Sequence, residues 1–380
     1  MINKYKSIIL VTMVAAASAH AGLSYQDGDK YLKLGGRVQV QYHLTEPTDG
    51  ASTDELIFRR LRPYIEGSIH KDWKGKWQFD LGKGKIENKD AYMQYKGFDW
   101  GTVTIGNSYV HYSHEEITSS KNQQLVERTF VGDHNYGTPD RQVGLHLQGE
   151  PSDILTWDLS LAMAAVDVDN KKIDFGSVGS LNSGSDWIEG PMVGARILLS
   201  PQGSIKPSQG DFDGGLKSYI GLSGYTWSND GDMRNEIKID DDGNQILGKQ
   251  DVDDVSAFSV NAGLRAGGAS VDVQFNSVDS ELVDNGINNG LYANSETTLE
   301  SYALEGGYMV VPSTIEVVAG WSSLDADGYS SSWDRLEFGV NYFIQKHDIK
   351  FQTTYRMGEN KNGQSGNDVD ELFVQAQYVF

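Results

Sequence analysis

The chain has 380 residues, no cysteine and a formal net charge of -21. The lack of cysteine excludes disulfide bonds, thiolate metal sites and cysteine nucleophiles, and the acidic balance argues against nucleic acid as a partner. With 43 glycines and 19 tyrosines but only 8 prolines, the composition favours strands and tight turns over helices.

The first 21 residues have the pattern of a secretory signal peptide. Lys4 and Lys6 precede an apolar run over 8–17, and a small-residue sequence follows that ends at Ala21. The order of these three parts predicts cleavage after Ala21. A membrane-spanning helix needs roughly 20 apolar residues, so this run is too short to serve as an anchor. We therefore expect residues 1–21 to be a signal peptide and 22–380 to be the mature domain.

After residue 21, apolar and polar side chains alternate over stretches of about ten residues that end in turn residues, which is typical of strands in a transmembrane barrel. Sixteen such stretches predict an all-β fold, a transmembrane antiparallel β-barrel of about 16 strands. An even number is what a single-chain barrel requires. The predicted strands lie near 30–43, 56–69, 74–82, 89–97, 101–108, 141–150, 154–164, 190–199, 215–228, 254–266, 269–277, 298–310, 314–322, 334–344, 347–356 and 369–380.

The predicted connections alternate between short turns and long loops, as they do in barrels with short periplasmic turns and longer extracellular loops. The longest connection, 109–140, follows the fifth strand. One connection, 200–214, is long where a short turn is due. We interpret it as an extended periplasmic turn, with a miscounted strand as the alternative.

The last predicted strand has apolar residues at every second position and ends on an aromatic residue, Phe380. This pattern resembles the assembly signal of outer-membrane proteins and predicts a location in the outer membrane of a Gram-negative bacterium. An ordinary edge strand is the alternative. Pairing of this strand with the first would close the barrel and leave no unpaired edge in lipid. The apolar face consists of Leu372, Val374, Ala376, Tyr378 and Phe380.

Charge is distributed unevenly along the chain. The stretch from Leu56 to Lys96 holds ten basic and five acidic residues, whereas 229–253 holds eight acidic residues and three basic ones. The acidic segment Asp240-Asp241-Asp242 is similar to part of a calcium loop, but the ligand spacing is incomplete. Solvated loop tips explain these acids, and we expect no metal site.

A cluster of arginines falls in the second predicted strand. Strict alternation places Arg60, Arg62 and Tyr64 on one face. An arginine that faced lipid at mid-membrane would cost about 2–4 kcal/mol, so this face must line the lumen. Arg59 has the opposite parity, and it lies near an interface or follows a bulge that turns it inward. The residues predicted for the lipid face are Ile57, Leu61 and Ile65.

The sequence resembles a known family, the phosphate-selective porins O and P. The matching pieces are Phe58-Arg59-Arg60, Lys89-Asp90-Ala91-Tyr92, and Glu115 to Lys121 followed by Glu127-Arg128. The resemblance implies a sixteen-stranded trimeric barrel whose third loop folds inward and narrows a water-filled pore. In this chain that constriction loop would be 109–140.

The resemblance also implies roles for individual residues at the constriction. Arg59 and Arg60 would be wall arginines, Arg37 a neighbouring one, and Asp90 a carboxylate that keeps the arginines from holding an anion too tightly. Two departures leave the selectivity open, because Arg62 stands where the family more usually has tyrosine and Glu116 where it has a basic residue. The full set of candidate anion-binding and constriction residues is Arg37, Arg59, Arg60, Arg62, Asp90, Ser119, Ser120 and Arg128.

The sequence therefore predicts a diffusion channel that prefers anions, for which the resemblance implies phosphate selectivity, with a general or cation-preferring porin as the alternative. A barrel enzyme would need a nucleophile and a base, and the only candidates lie in the inward loop. We expect no cofactor and no catalytic site. The expected partners are outer-membrane lipids, small anions such as phosphate, and two further copies of the chain in a homotrimer. The weak catalytic candidates are His111, Ser113, His114 and Glu115.

Overall fold

The computed structural model describes residues 22–169, 172–177, 189–229, 237–239, 245–247, 252–288 and 290–380. The predicted signal peptide and Asp240-Asp241-Asp242 lie outside these ranges. Within them, no helix has the length and apolar character needed to cross a membrane.

The described residues form twenty strands and one short α-helix, α1 (His114–Ile117). The first ten strands are β1 (Leu23–Asp27), β2 (Lys30–Pro47), β3 (Thr53–His70), β4 (Trp73–Asp80), β5 (Glu87–Phe98), β6 (Gly101–Tyr109), β7 (Arg141–Ser152), β8 (Leu155–Asp169), β9 (Lys172–Ser177) and β10 (Glu189–Leu199). The remaining ten are β11 (Lys217–Ser228), β12 (Ile237–Ile239), β13 (Gln245–Leu247), β14 (Val252–Ala266), β15 (Ala269–Leu282), β16 (Glu296–Val311), β17 (Ile315–Asp325), β18 (Trp333–Gln345), β19 (Ile349–Glu359) and β20 (Val369–Val379).

Sixteen of these strands form a closed antiparallel barrel. Each pairs with its neighbours in chain order, and β20 pairs with β2 to close the ring. The predicted fold class and all sixteen predicted strands are confirmed, with ends that differ by up to five residues. The sequence did not predict β1 and β9, which extend the sheet at β2 and β8, or the separate hairpin of β12 and β13.

Alternation determines which side chains face outward. In β18, Leu336, Phe338 and Val340 are 40–49% exposed on the outer surface, whereas Glu337 and Asn341, which have the opposite parity, are fully buried inside. This is the pattern of a wall with apolar residues toward lipid and polar residues toward the lumen.

The two ends of the barrel differ in their connections. One end, which we call the turn end, carries short turns such as Gly267-Gly268, and it also holds the closing contact of the chain terminus. There the Phe380 amide donates to the Gly36 carbonyl at 2.9 Å and the Gly36 amide donates to the Phe380 carbonyl at 2.8 Å. The other end, the loop end, carries the longer connections, including 110–140 between β6 and β7.

The third loop, 110–140, folds into the lumen, as predicted. Ser113 caps α1 by accepting a hydrogen bond from the Glu116 amide at 3.1 Å. The loop then contacts the far wall of the barrel, where the Val126 amide donates to Thr354 and the Gln124 carbonyl accepts from Asn341 at 2.9 Å. The loop therefore leans on β15 to β19 and leaves space beside β3 to β7.

The long connection 200–216 between β10 and β11 lies at the turn end and reaches the tip of the third loop. The Gln209 amide donates to the Asn122 carbonyl at 3.0 Å, and the Gln209 side chain accepts from the Gln124 amide at 2.8 Å. The side-chain amide of Gln209 also donates to Glu305 on β16 at 2.9 Å. This segment is therefore an extended turn, and the alternative of a miscounted strand was wrong because sixteen strands close the barrel.

An apolar core fills part of the lumen near the loop end. It includes Phe130 of the third loop, Trp227 of β11 and Trp333 of β18, which are at most 6% exposed. Such a core inside a barrel excludes water from that part of the cross-section. The water-accessible space is consequently confined to the opposite side of the lumen.

Candidate functional site

A bulge in β3 determines where the arginines point. The register with β2 shifts so that Gln39 faces Arg60 and Val40 faces Phe58, which leaves Arg59 as the extra residue. Such a bulge reverses the inward and outward parity of the residues before it. Arg59 therefore turns inward, the second of the two predicted alternatives. The predicted lipid-facing position of Ile57 was wrong for the same reason, because Ile57 lines the lumen.

The open space consists of two vestibules that meet at a narrow point. The inner vestibule, toward the turn end, has a volume of about 540 Å³, and the outer vestibule, toward the loop end, has a volume of about 470 Å³. Three residues line both of them: Arg62, Tyr109 and Arg141. We call these three residues the neck. The Arg141 guanidinium lies 3.9 Å from the centre of the Tyr109 ring, so the neck presents a stacked cation.

Both vestibules carry an excess of positive charge although the chain as a whole is acidic. Ten lysines and arginines and seven acids line the outer vestibule, and six lysines and arginines and two acids line the inner one. Among the described residues, six of the basic residues that line the vestibules have no carboxylate within ion-pair distance: Lys33, Arg37, Lys83, Lys85, Arg128 and Arg335. The path through the barrel is therefore locally cationic.

Three of the predicted arginines lie together, and one of them, Arg62, belongs to the neck. Arg37 on β2 is directly opposite Arg62 on β3, and Arg60 is two residues further along. Arg37 donates to the Ser119 hydroxyl at 3.1 Å, which joins it to the third loop. Arg60 donates to Gln39 at 3.3 Å and lies 3.5 Å from Glu127.

Carboxylates neutralise two members of the predicted set. Arg59 forms two hydrogen bonds with Glu127 of the third loop, at 2.6 and 2.8 Å. Arg62 pairs with Asp80 of β4 at 2.6 Å. These bidentate or short contacts are strong charge-assisted bonds, so Arg59 and Arg62 are less available to a passing anion than Arg37.

Asp90 lies apart from the Arg37 cluster. Its carboxylate contacts Lys76 on β4 and Arg141 on β7, each at 2.5 Å. A carboxylate between two cations from different strands holds both in place. Asp90 therefore sits at the neck, beside Arg141 and not beside Arg60.

The remaining predicted residues belong to the third loop and have structural contacts. The Ser120 carbonyl accepts from Gln39 at 3.3 Å. Arg128 donates to the carbonyls of Glu116 and Thr118, at 3.1 and 2.9 Å, and so satisfies the end of α1 while it lines the outer vestibule.

Two glutamates of the third loop have shifted pKa values of opposite sign. Burial raises the pKa of Glu115 to about 7, although two hydrogen bonds from Thr129 favour its ionised form. Burial also opposes ionisation of Glu127, but Arg59 and Arg60 outweigh it and hold the Glu127 pKa well below its usual range. Glu127 therefore keeps its negative charge beside Arg59 and Arg60.

Sequence reasoning missed five residues at the neck and around it. Arg141 and Lys76 become visible only when strand pairing brings both to Asp90. Alternation along β4 could have indicated Lys76 and Asp80 as lumen residues. Lys76, Gln78 and Asp80 lie on one face of the strand, and Trp77 lies on the other. The missed residues are Lys76, Asp80, Tyr109, Glu127 and Arg141.

The weak catalytic candidates do not form a catalytic arrangement. The Ser113 hydroxyl donates to the Val131 carbonyl at 3.0 Å, and His114 stacks on Tyr219 with ring centres 4.1 Å apart. In the part of the chain that the structure describes, one group of three acids could hold a metal ion: Asp253, Asp254 and Glu281. This group is largely exposed at the loop end and lies outside both vestibules.

Comparisons with known proteins agree with this geometry. The family model "Phosphate-selective porin O and P" matches residues 32–174, which confirms the resemblance found in the sequence. Porin O of Pseudomonas aeruginosa is 25% identical to this chain over 94% of the chain and 91% of Porin O. The matched region includes the arginine strand, the third loop and the neck.

Solved structures with the same fold are outer-membrane proteins. OmpT of Vibrio cholerae, folded in vitro, has a TM-score of 0.62 at 12% identity, over 93% of this chain and 99% of OmpT. The anion-selective porin of Comamonas acidovorans has a TM-score of 0.59 at 12% identity, over 92% of this chain and all of that porin. The channel DcaP of Acinetobacter baumannii has a TM-score of 0.59 at 14% identity, over 95% of this chain and all of DcaP.

Proposed function

We propose that this outer-membrane porin, which resembles the phosphate-selective porins O and P, is a channel that prefers small anions and takes phosphate among them. By the usual arrangement of such barrels the loop end is extracellular and the turn end periplasmic. A solute would enter through the outer vestibule, pass the neck and leave through the inner vestibule.

One observation carries the proposal, namely the placement of Arg37 opposite Arg62 with Arg60 two residues further along. Like charges directly opposite on neighbouring strands are destabilising. Asp80 offsets Arg62, but no carboxylate among the described residues pairs with Arg37. An anion between these guanidinium groups would relieve the repulsion. Guanidinium groups also suit phosphate because their planar donors match its oxygens two at a time.

The overall charge of -21 does not oppose this preference. At physiological salt, exposed charges are screened over about 8 Å, so acidic loops at the mouth act weakly on an ion at the neck. Arg37 and Arg60 act at short range, where screening is small. The neck and the arginines next to it should therefore determine the ion selectivity of the channel.

Two of the similar proteins support the same function. Porin O shares its name with the matched family, and the Comamonas acidovorans protein is an anion-selective porin. A trimer form of OmpT has been solved, and we propose that this chain is likewise a homotrimer in the lipids of the outer membrane. Its mass in mild detergent would be three times that of the chain.

The test is block of chloride current by phosphate in a planar bilayer. Millimolar phosphate should reduce the wild-type current because phosphate occupies the arginine site longer than chloride does. In Arg37→Ala and Arg60→Ala variants the half-blocking phosphate concentration should rise roughly tenfold, which is the loss expected for a charge-assisted hydrogen bond.

A matched control is Lys346→Ala, which removes one positive charge from an exposed turn outside the vestibules. This variant should keep the wild-type block. A wild-type channel that ignores phosphate, or equal block in the Arg37→Ala and Lys346→Ala variants, would refute the proposed site.

A further inference from the structure

The two vestibules differ in the neutral groups that line them. The outer vestibule is lined mainly by charged side chains, with Gln41 and Asn135 as its amides. The inner vestibule is rich in hydroxyl and amide groups. Six of these line it without a side-chain hydrogen bond to any other described residue: Tyr64, Gln78, Tyr92, Thr102, Ser108 and Tyr109.

These groups lie on β3 to β6, which are consecutive strands of the barrel. Tyr64 of β3 lies opposite Gln78 of β4, and Tyr92 of β5 lies opposite Gly106 of β6. None of the six side chains is fully buried, so their hydroxyl and amide groups are available to a solute in the vestibule. We call this surface the hydroxyl wall.

The side of the inner vestibule toward β2 and the third loop is cationic. It carries Lys33 and Arg37 of β2 and Lys121 of the third loop, and the Ser119 hydroxyl joins Arg37 there. A solute in the inner vestibule therefore has excess positive charge on one side. On the other it meets the hydroxyl wall, among whose members stand ion-paired charges such as Lys76 with Asp90.

We propose that the inner vestibule binds phosphorylated polyols and sugars, with the phosphate group at Arg37 and the hydroxyl groups of the solute on the hydroxyl wall. This inference rests on the proposed anion-conducting function and names the solute class of that path. Inorganic phosphate would use only the cationic side. A hydrocarbon anion would cover the hydroxyl wall and leave its polar groups unpaired, which is unfavourable.

The dimensions fit this class. A volume of about 540 Å³ lies within the range of small-molecule sites, roughly 300–1,000 Å³, and exceeds what inorganic phosphate requires. Each hydroxyl contact is weak after exchange with water. A solute held by several of them would remain longer than phosphate and would still leave, as conduction requires.

The experiment compares three probes on single channels in a planar bilayer: inorganic phosphate, glucose 6-phosphate and glucose. Glucose 6-phosphate added on the turn-end side should block chloride current at a concentration roughly tenfold below that of phosphate, which a few additional hydrogen bonds would produce. Glucose alone should not block, because it lacks the anion that Arg37 holds.

The decisive variant is Tyr92→Phe with Thr102→Val, which removes two hydroxyl groups from the wall and keeps its shape. Glucose 6-phosphate should then block only as well as phosphate, and block by phosphate should be unchanged. The control is Tyr355→Phe, which removes a hydroxyl group from an exposed side chain outside the vestibules that bonds Asp370. This variant should discriminate between the two probes as the wild type does.

Each other outcome has a defined meaning. If phosphate blocks and glucose 6-phosphate blocks no better, the inference fails while the proposed function stands. If neither blocks, both fail. Block by glucose alone, or unchanged discrimination in the Tyr92→Phe, Thr102→Val variant, would overturn the assignment of the solute class to the hydroxyl wall.

Discussion

The lumen has two sides that differ in almost every property. The open side, beside β2 to β7, contains the neck and the wider part of both vestibules, and most of its inward side chains are polar or charged. The filled side, beside β8 to β18, holds the apolar core at the loop end and the contacts that bind the third loop at the turn end. Trp227 on the filled side is 1% exposed.

This difference shows that barrel closure alone does not define the channel. Sixteen strands enclose a wide lumen, and the filled side reduces it to one narrow path along the arginines. The apolar core stabilises the folded molecule. The open side carries unpaired cations such as Arg37, which do not contribute to stability. Stability and selectivity are therefore assigned to opposite walls and should respond to different mutations.

The largest effect should come from the core of the filled side. Trp227→Ala removes a side chain that is fully buried and donates to the Ala164 carbonyl at 2.9 Å, and such a truncation costs about 3–5 kcal/mol. The temperature at which the folded barrel is lost on a heat-modifiability gel should fall clearly. Trp321→Ala, at a position 42% exposed on the outer surface, should have a smaller effect. Equal shifts would contradict the role of the core.

A second effect should appear at the contact between the filled side and the third loop. Gln209→Ala removes the side-chain bonds to the Gln124 amide and to Glu305, so the loop tip should move more. We expect larger fluctuations of the open-channel current with the direction of ion preference unchanged. Gln202→Ala is the matched control, because Gln202 lies in the same segment but its side chain bonds, among the described residues, only Ser218. A quiet Gln209→Ala channel would show that the segment does not restrain the loop.

A smaller effect is expected from the open side. Glu127→Gln removes the negative charge that neutralises Arg59 and reaches Arg60. The reversal potential in a KCl gradient should shift toward the chloride potential. The control, Glu55→Gln, changes a glutamate that is 52% exposed in the outer vestibule and should shift it less because water screens that charge. A shift toward potassium would contradict the charge assignment.

The smallest effect should be a dependence of stability on pH. Burial raises the pKa of Glu115 from 4.5 to about 7, so the folded state binds this proton more tightly than the unfolded chain. Stability from this group is complete below pH 4.5 and is lost as the pH rises through 7. The unfolding temperature should fall by a few degrees between pH 5 and pH 8, and Glu115→Gln should reduce that fall. An unchanged pH profile in the variant would exclude Glu115 as its source.

The strands of this fold could be predicted because alternation is a local property of the sequence. The position of the third loop followed from its length and from the resemblance at Glu115 to Lys121. In β11, Tyr225 and Trp227 share the inward parity while Ile220 and Leu222 face outward. Aromatic residues on the lumen face near the loop end were thus a signal of the internal core.

The ion pairs of the site could not be predicted in the same way. The contact of Arg62 with Asp80 and that of Asp90 with Arg141 depend on the register between strands. A one-residue bulge at Arg59 changes the parity of everything before it in β3, including Ile57. Register is a property of the assembled sheet, and the sequence of one strand does not contain it.

We expect the cationic path of the open side to outweigh the acidic balance of the chain. The most direct test is the reversal potential of the wild-type channel in asymmetric KCl. We predict anion preference in molar salt, with a drift toward cations in dilute salt as the acidic loops become less screened. A channel that selects cations in molar KCl would contradict the account, and the general or cation-preferring porin would replace it.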